Sequence, residues 1–266
     1  MARLLKDLDF SLKSNRKVTE TTSPPERDAQ FKMIQAKREM FMDYGHPIIS
    51  VDTKKKEMLG MFKNPGVTWT EEYIPVYDHD FLSCADGRAI PYGIYDIQKN
   101  LGYVFVGMSY DTPEFAVNSI ASWWRYQGKR SYPRSEELLI LADCGGSNGY
   151  RARAWKYFLQ TKLTDPYNLD VTVAHYPPGC SKYNLIEHRL FCEIQKNWKG
   201  RPLDTIRTVL NYIATTRTRT GLRVRSYLDK RSYSRGFKVS DQAMDSLSLF
   251  PAEVLPSWNY TLSPRQ

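Results

Sequence analysis

The stretch Leu138–Asp143 constrains the fold more than any other part of this sequence. Four apolar residues precede Ala142 and Asp143, and a continuous apolar run of this length predicts a short strand buried on both faces. The loop Cys144–Gly149 follows, and its small residues let other groups approach the backbone closely. A carboxylate at the C-terminal end of a buried strand lies where open α/β sheets bind ligands. Asp143 is therefore a candidate site residue, although an Asp here can also simply start a turn.

The composition favours a folded protein with an anionic partner. Of the 266 residues, 41% are hydrophobic and 13% aromatic, which is enough for a core and argues against global disorder. The formal net charge is +9 and the pI is near 9.2, a balance that suits nucleic acid. No apolar run is long enough for a transmembrane helix, and the N-terminus lacks the apolar stretch of a signal peptide. We therefore expect a cytoplasmic protein that is not associated with a membrane.

The cysteines do not indicate a metal centre. Their spacings are irregular, no CxxC pair occurs, and the histidines do not complete a zinc-spaced set with them. We expect free thiols at all four positions, which are Cys84, Cys144, Cys180 and Cys192.

Turn and capping signals mark the boundaries of the predicted helices and strands. Ser23–Glu26 begins a charged helix that should run to about Asp43, because a Ser cap is followed by Pro and then by Glu three positions on. After this helix, the predicted strands come first as an antiparallel meander and then alternate with helices. The predicted strands are Ile48–Val51, Glu57–Phe62, Ile90–Ile97, Tyr103–Ser109, Leu138–Asp143 and Leu169–His175. One predicted helix opens at Asp111-Thr112-Pro113-Glu114, one runs over 150–162, one follows Asn184 and one runs over 203–214. This order predicts a mixed sheet with helices on both sides.

Three carboxylates fall where such a sheet can bring them together. Asp52 and Asp143 each end a strand, and Glu187 stands in the first turn of a late helix. Magnesium prefers a few oxygen ligands, and two ions about 4 Å apart can hold the attacking and leaving oxygens of a phosphoryl transfer. The three residues match that requirement in number. The competing interpretation of Glu187 is a helix-stabilising residue that interacts with the helix dipole.

Three motifs then carry a resemblance to a known family. VDTKKKE, LLILADCGGSNG and HYPPGCSKYNLIEH occur in this order and resemble bacterial insertion-sequence transposases of the DDE superfamily. The chain is most similar to the Rhodopirellula-type DDE transposase family, the Azo-thirteen group. The last motif also resembles a segment of mariner-like transposases in which the Glu is the third acidic ligand. Cys144 stands where mariner relatives carry Asn, but the Rhodopirellula-type group has its own Gly-Gly-Ser-Asn version.

The resemblance implies an α/β catalytic domain over 47–200 with an RNase H-like, mixed five-stranded sheet flanked by helices. It implies a site of Asp52, Asp143 and Glu187 that is both catalytic and metal-binding, with two Mg²⁺ ions that Mn²⁺ can replace. The reaction is cleavage of element ends in double-stranded DNA, followed by attack of the freed 3′-OH on target DNA, and a homodimer on DNA is the expected assembly. Residues 1–46 would be a linker helix and the remnant of a DNA-binding region. Because Met1–Leu12 resembles only the last part of a helix-turn-helix domain, we expect an N-terminally truncated member.

The C-terminal part, 201–266, is predicted to be a basic helical extension. Arg201–Lys238 contains ten basic residues against two acidic ones, and such clusters contact DNA phosphates in a sequence-independent way. The same charges would also suit an ordinary solvated surface. The candidate DNA-binding residues are Arg217, Arg219, Arg223, Arg225, Lys230 and Arg231.

Three functional hypotheses remain open from the sequence. The first is a DNA transposase, and the second is an RNase H-like nuclease that hydrolyses DNA without strand transfer. The third is a non-catalytic DNA-binding remnant. The acidic triad argues for the first two, and the missing N-terminal domain argues for the third.

Overall fold

The computed structural model describes residues 26–78, 85–180 and 183–265, together with Asp7 and Ser83. The predictions for Met1–Leu12 and for the Ser23 cap fall almost wholly outside the described residues, as does the thiol of Cys84. The other three cysteines are free, as expected. No described helix has the length and apolar character needed to cross a membrane.

A single mixed sheet forms the centre of the described chain. Its strand order is β7-β4-β3-β1-β5-β6-β9-β8, and the short β2 pairs with β3 at one side. The predicted α/β class is confirmed, but the described residues contribute nine strands to the sheet where five were predicted. The strands are β1 (Ile48–Thr53), β2 (Glu57–Leu59), β3 (Gly87–Asp96), β4 (Leu101–Gly107), β5 (Glu137–Ala142), β6 (Asp170–His175), β7 (Arg223–Leu228), β8 (Leu249–Pro251) and β9 (Asn259–Leu262).

Hydrophobic patterning accounts for the central strands. All four residues of Leu138–Leu141 are fully buried in β5, which lies between the parallel strand β6 and the parallel strand β1. The predicted hairpin is also present, because β3 pairs antiparallel with β4. Its turn places Asn100 at φ 52°, a conformation that Asn tolerates better than most residues.

The helices begin where capping residues allow. Thr112 caps the second helix by accepting a hydrogen bond from the Phe115 N–H, with Pro113 in the first position, as predicted. The helix predicted over 150–162 begins later, after the 3₁₀ turn Gly146–Asn148. The described helices are α1 (Arg27–Asp43), α2 (Pro113–Trp123, continued by a π-helical turn to Gly128 and by Lys129–Ser131), α3 (Arg153–Leu159, continued by a π-helical turn to Thr164 and by Asp165–Tyr167), α4 (Cys192–Asn197, preceded by the π-helical turn Glu187–Phe191), α5 (Ile206–Ala214) and α6 (Asp241–Asp245).

The helices cover both faces of the sheet. On one face, α2 and α3 pack against the strand residues Ile49, Val51 and Tyr92. On the other, α1 packs against Ile48 and Leu139, while α4 and α5 pack against the β3–β4 hairpin. Helical side chains therefore reach the strand ends from both sides.

The predicted linker helix and C-terminal extension both belong to this packing. In α1, Gln30 is completely buried, and its Nε2 donates to the Asn259 side-chain oxygen at 2.8 Å, while Asn259 Nδ2 donates back at 2.6 Å. The C-terminal part contains α5, as expected, but it also adds β7, β8 and β9 to the sheet. The arginines that face solvent along β7 hid its strand pattern. The three-part division of the chain remains a prediction.

Candidate active site

Asp52 and Asp143 lie side by side at one edge of the sheet. Asp52 belongs to β1, and Asp143 directly follows β5. These strands run parallel with Val51 paired to Ala142, so the next position in the same register brings Asp52 beside Asp143. The carboxyl ends of parallel strands meet at one edge of a sheet, which is why sequence order alone predicted this neighbourhood.

Glu187 reaches the same edge because its helix lies directly on β3. Gly93 is the residue of β3 that pairs with Asp52. A Cβ atom on Gly93 would lie 2.5 Å from Phe191 Cε1 and 2.9 Å from Ile186 Cδ1, which is closer than real side chains approach. The absence of a side chain at position 93 therefore lets the helical turn that carries Glu187 pack against the strand opposite Asp52.

A buried hydrogen-bond network fixes the start of this helical turn. The Ser50 hydroxyl donates to the Asn184 side-chain oxygen at 2.6 Å and accepts from the Ile186 N–H at 3.2 Å. The Glu187 N–H donates to the Asn184 carbonyl at 3.2 Å. Ser50 lies two residues before Asp52 on the same face of β1, so one strand holds Asp52 and anchors the segment of Glu187.

Replacing Ser50 by Ala should therefore destabilise the protein. The substitution leaves the buried Asn184 oxygen and the Ile186 N–H without the hydroxyl, and unsatisfied buried groups of this kind cost about 1–3 kcal/mol. Urea denaturation measures the effect. Ser122→Ala is a matched control, because the Ser122 hydroxyl donates to the Asn118 carbonyl within a helix. An equal loss of stability in both variants would contradict this role of Ser50.

The Gly-rich loop after Asp143 is held by side chains beneath it. The Tyr92 hydroxyl donates to the Asn148 side-chain oxygen at 2.8 Å, and the Ser147 and Thr53 hydroxyls lie 3.3 Å apart. Both Ser147 and Asn148 are buried. The loop therefore connects the end of β5 to β1 and β3, a role that the sequence analysis did not assign.

Burial, together with repulsion from neighbouring carboxylates, raises the pKa of all three carboxyls. The pKa of Asp52 rises to about 8, chiefly by burial and then by the charge of Asp143, with a smaller contribution from Glu187. Burial is also the main cause of the raised pKa values of Asp143 and Glu187. The charge of Lys54 partly opposes the rise at Glu187. The sheet edge thus concentrates negative charge that a bound cation would stabilise.

Asp111 is a fourth carboxylate at this edge, which the sequence analysis treated only as part of a helix start. It accepts a hydrogen bond from the Thr53 hydroxyl at 3.1 Å and lies 4.0 Å from Lys56 Nζ. Its charge raises the pKa values of both Asp52 and Asp143. Its position in the sequence could have indicated this role, because Asp111 closely follows β4 and the carboxyl end of β4 lies at the same edge.

The chemistry of this edge fits hard divalent cations. Its acidic groups are carboxylates, and oxygen ligands are what Mg²⁺ prefers. Within the described ranges, no group of three or more Asp, Glu, His or Cys side chains lies close enough together to bind one metal ion. The residues available to hold metal at this edge are Asp52, Asp143 and Glu187, with Asp111 beside them.

The candidate DNA-binding residues are divided between two ends of the sheet. All six are exposed. Because Arg223 pairs with Leu101 and Leu228 pairs with Val106, β7 runs in the same direction as β1. Its first residue is therefore at the end of the sheet away from Asp52, about 16 Å along the strand from its last. Arg217, Arg219 and Arg223 lie at that far end, Arg225 lies along β7, and Lys230 and Arg231 follow β7 at the carboxylate edge.

Arg231 is the one candidate that forms an ion pair within the described residues, whereas Arg225 donates to the neutral Gln127 side chain at 2.7 Å. The Arg231 Nε donates to Asp229 Oδ1 and its Nη2 to Asp229 Oδ2, both at 2.8 Å. The pair, with a further hydrogen bond from the Tyr233 hydroxyl, holds the pKa of the Asp229 carboxyl below its usual value. Arg231 therefore stabilises the turn after β7.

Solved structures with the same architecture were found. The Mos1 transposase paired-end complex with left transposon end matches with a TM-score of 0.52 and 13% identity, over 79% of this chain and 60% of that one. The Mos1 Strand Transfer Complex matches with a TM-score of 0.52 and 14% identity, over 79% of this chain and 59% of that one. At this identity the likeness establishes the RNase H-like fold. The chain spans about three fifths of the length of these proteins.

Comparison with protein families extends the match to nearly the whole sequence. No relative was found among curated proteins. The family model for the Rhodopirellula transposase DDE domain covers residues 1–264, which includes both strands and the late helix that carry the three carboxylates. The chain therefore belongs to the Rhodopirellula transposase DDE domain family.

Proposed function

We propose that this protein is a DNA transposase that cleaves DNA ends and joins them to target DNA. The observation that carries the proposal is the convergence of Asp52, Asp143 and Glu187 from three separate elements at one edge of the sheet. Their raised pKa values indicate that keeping these carboxylates charged lowers the free energy of unfolding. Such clusters of mutually repelling carboxylates are characteristic of functional sites.

In this proposal the three carboxylates are the catalytic residues and hold two Mg²⁺ ions, which Mn²⁺ can replace. When bound, the ions would supply charge neutralisation at the scissile phosphate and help ionise the attacking hydroxyl. The protein's own contribution is to fix the ligands. Gly93 admits the helical turn of Glu187, and Tyr92 holds the loop after Asp143 through Asn148.

The proposed partner is double-stranded DNA, both as element ends and as target. The net charge of +9 supports DNA as the partner. One of the similar solved structures, a Mos1 transposase complex with a transposon end, also supports it. We extend the proposal to a homodimer on DNA, to association with the bacterial nucleoid in the cytoplasm, and to the division into 1–46, 47–200 and 201–266. Residues 47–200 would form the catalytic domain.

A cleavage assay on the purified chain tests this function. Supercoiled plasmid should be nicked with Mg²⁺ or Mn²⁺ and remain intact with a chelator, and a labelled DNA end should become joined to a second DNA. Nicking without joining would favour the stand-alone nuclease. DNA binding without nicking under any metal condition would favour the non-catalytic remnant and overturn the transposase proposal.

Two arginine variants should separate DNA contact from structure. Arg219→Ala removes an exposed charge, so it should weaken DNA binding and lower the salt dependence by about one counterion, without changing the melting temperature. Arg231→Ala breaks the bidentate pair with Asp229 and should lower the melting temperature. Fluorescence anisotropy over a salt series and thermal denaturation measure both. An unchanged salt slope in Arg219→Ala would remove that residue from the DNA interface.

A further inference from the structure

A cavity of ≈ 570 Å³ lies beside the carboxylate edge. It is bounded by the first turns of α2 and α3 and by the segment 234–239, and its volume is in the range of sites that bind one small ligand. The lining residues that matter here are Asp111, Arg153, Phe158, Arg235, Phe237 and Lys238.

The cavity adjoins the candidate active site through Asp111. This residue lines the cavity and also accepts the hydrogen bond of Thr53, the residue directly after Asp52. Its charge acts on both Asp52 and Asp143. A DNA strand that is bound at the carboxylates can therefore extend with its next nucleotide into the cavity.

Two cations of the cavity wall are available for an anionic ligand. Arg235 and Lys238 are exposed, and neither forms an ion pair with any residue in the described ranges. The Arg235 guanidinium lies 4.6 Å from the Tyr110 ring centre, a cation–π contact that limits its motion. In contrast, Arg153 is paired with Asp241 at 2.5 Å.

An exposed aromatic residue, Phe237, lies between these two cations in the sequence and also lines the cavity. Phe237 is 53% exposed. It packs against Phe158 with ring centres 4.8 Å apart and against Tyr157 at 5.8 Å. Phe237 is thus supported from the protein side while much of its surface remains open.

We propose that this cavity binds one unstacked nucleotide of the DNA strand that adjoins the scissile phosphate. Its base would pack on Phe237, and its phosphates would pair with Arg235 and Lys238. The inference rests on the proposed function and adds a subsite to it. Aromatic rings flanked by cations suit single-stranded nucleic acid, since every base has a π-face and every unit a phosphate. An intact duplex is too wide for the cavity, so the nucleotide must leave the base stack.

Binding of two DNA probes to the full chain tests the subsite. The first is a blunt duplex of about 20 base pairs, and the second is the same duplex with a single-stranded extension of about four thymidines. Without divalent metal, we expect the wild type to bind the extended duplex about tenfold more tightly. Phe237→Ala and Phe237→Leu should both lose this preference, yet keep the affinity for the blunt duplex. Phe237→Leu should melt close to the wild type, whereas Phe237→Ala should melt lower because the packing on Phe158 and Tyr157 is lost.

The matched control is Phe250→Ala. Phe250 is also exposed, at 59%, but belongs to β8 away from the cavity, and its loss should leave the preference unchanged. If Phe237→Leu keeps the full preference, the ring does not stack on a base and the inference is wrong. If the wild type binds both probes equally, the subsite is absent while the proposed function stands. If it binds neither probe, the DNA function itself fails.

Discussion

Asp52→Asn should lower metal-dependent DNA cleavage more than about a thousandfold and at the same time stabilise the metal-free protein. The loss of activity follows because a neutral amide is a poorer metal ligand, and a thousandfold change is about 4 kcal/mol of transition-state stabilisation. The gain in stability follows because Asn removes a buried charge that lies beside Asp143 and near Glu187. Activity and stability are therefore expected to change in opposite directions.

The gain in stability of the Asp52→Asn variant should increase as the pH rises. Folding raises the pKa of Asp52 from 3.8 to about 8, so between these values the folded state holds a proton that the unfolded chain has lost. The free energy of unfolding of the wild type consequently falls, through this group, as the pH rises from about 4 to about 8. The amide of the Asp52→Asn variant cannot titrate, and it resembles the protonated acid. The melting-temperature difference between variant and wild type should therefore be larger at about pH 8 than at about pH 5.

Asp245→Asn provides the matched control for this experiment. Asp245 is exposed in α6, and its replacement should change neither cleavage nor melting temperature. Adding Mg²⁺ should raise the melting temperature of the wild type and have less effect on Asp52→Asn. Cleavage at the wild-type rate in Asp52→Asn would exclude Asp52 from the catalytic site.

Gly93→Val should reduce cleavage about a hundredfold or more without touching a carboxylate. A Cβ at this position overlaps the Phe191 ring, so the helical turn of Glu187 must move away from the sheet. Overpacking of this kind costs about 1–3 kcal/mol of stability. A displacement of about 1 Å at a catalytic group can cost a hundredfold in rate. Cleavage kinetics and urea denaturation measure the two effects.

A compensating substitution separates this displacement from general unfolding. In Gly93→Ala the added methyl group meets Phe191 and Ile186, and Phe191→Leu in the same chain removes the ring that causes the shortest contacts. The double variant should recover part of the activity that Gly93→Ala loses. Wild-type activity and stability in Gly93→Val would show that close packing at this point does not position Glu187.

The sequence predicted those parts of the fold that depend on local patterning. The run Leu138–Leu141 and the Thr112-Pro113 helix start each contain their own signal, and both are confirmed. Parallel strands with carboxylates at their ends also allowed the neighbourhood of Asp52 and Asp143 to be predicted. Strands β8 and β9 were missed because they are three and four residues long, too short for a periodic pattern.

The hydrogen bonds that hold the candidate site in place could not be predicted in the same way. Ser50 and Asn184 are 134 positions apart, and Tyr92 and Asn148 are 56 apart. No local spacing relates such pairs, since they meet only after the sheet has formed. The division of the basic residues depends likewise on the pairing of β7 with β4, which decides which end of β7 is near the carboxylates.

The reciprocal amide pair between Gln30 and Asn259 has a consequence for the timing of folding. The two residues are separated by 229 positions, so all of the chain between them must leave the ribosome before they can meet. At about 5–20 residues per second, synthesis of the intervening chain takes on the order of ten seconds or more. During that interval the buried face of α1 has no Asn259 to satisfy Gln30, and β6 lacks its neighbour β9. The final packing of the sheet is therefore a late event, and a nascent chain cannot reach it before Asn259 has been translated and has emerged.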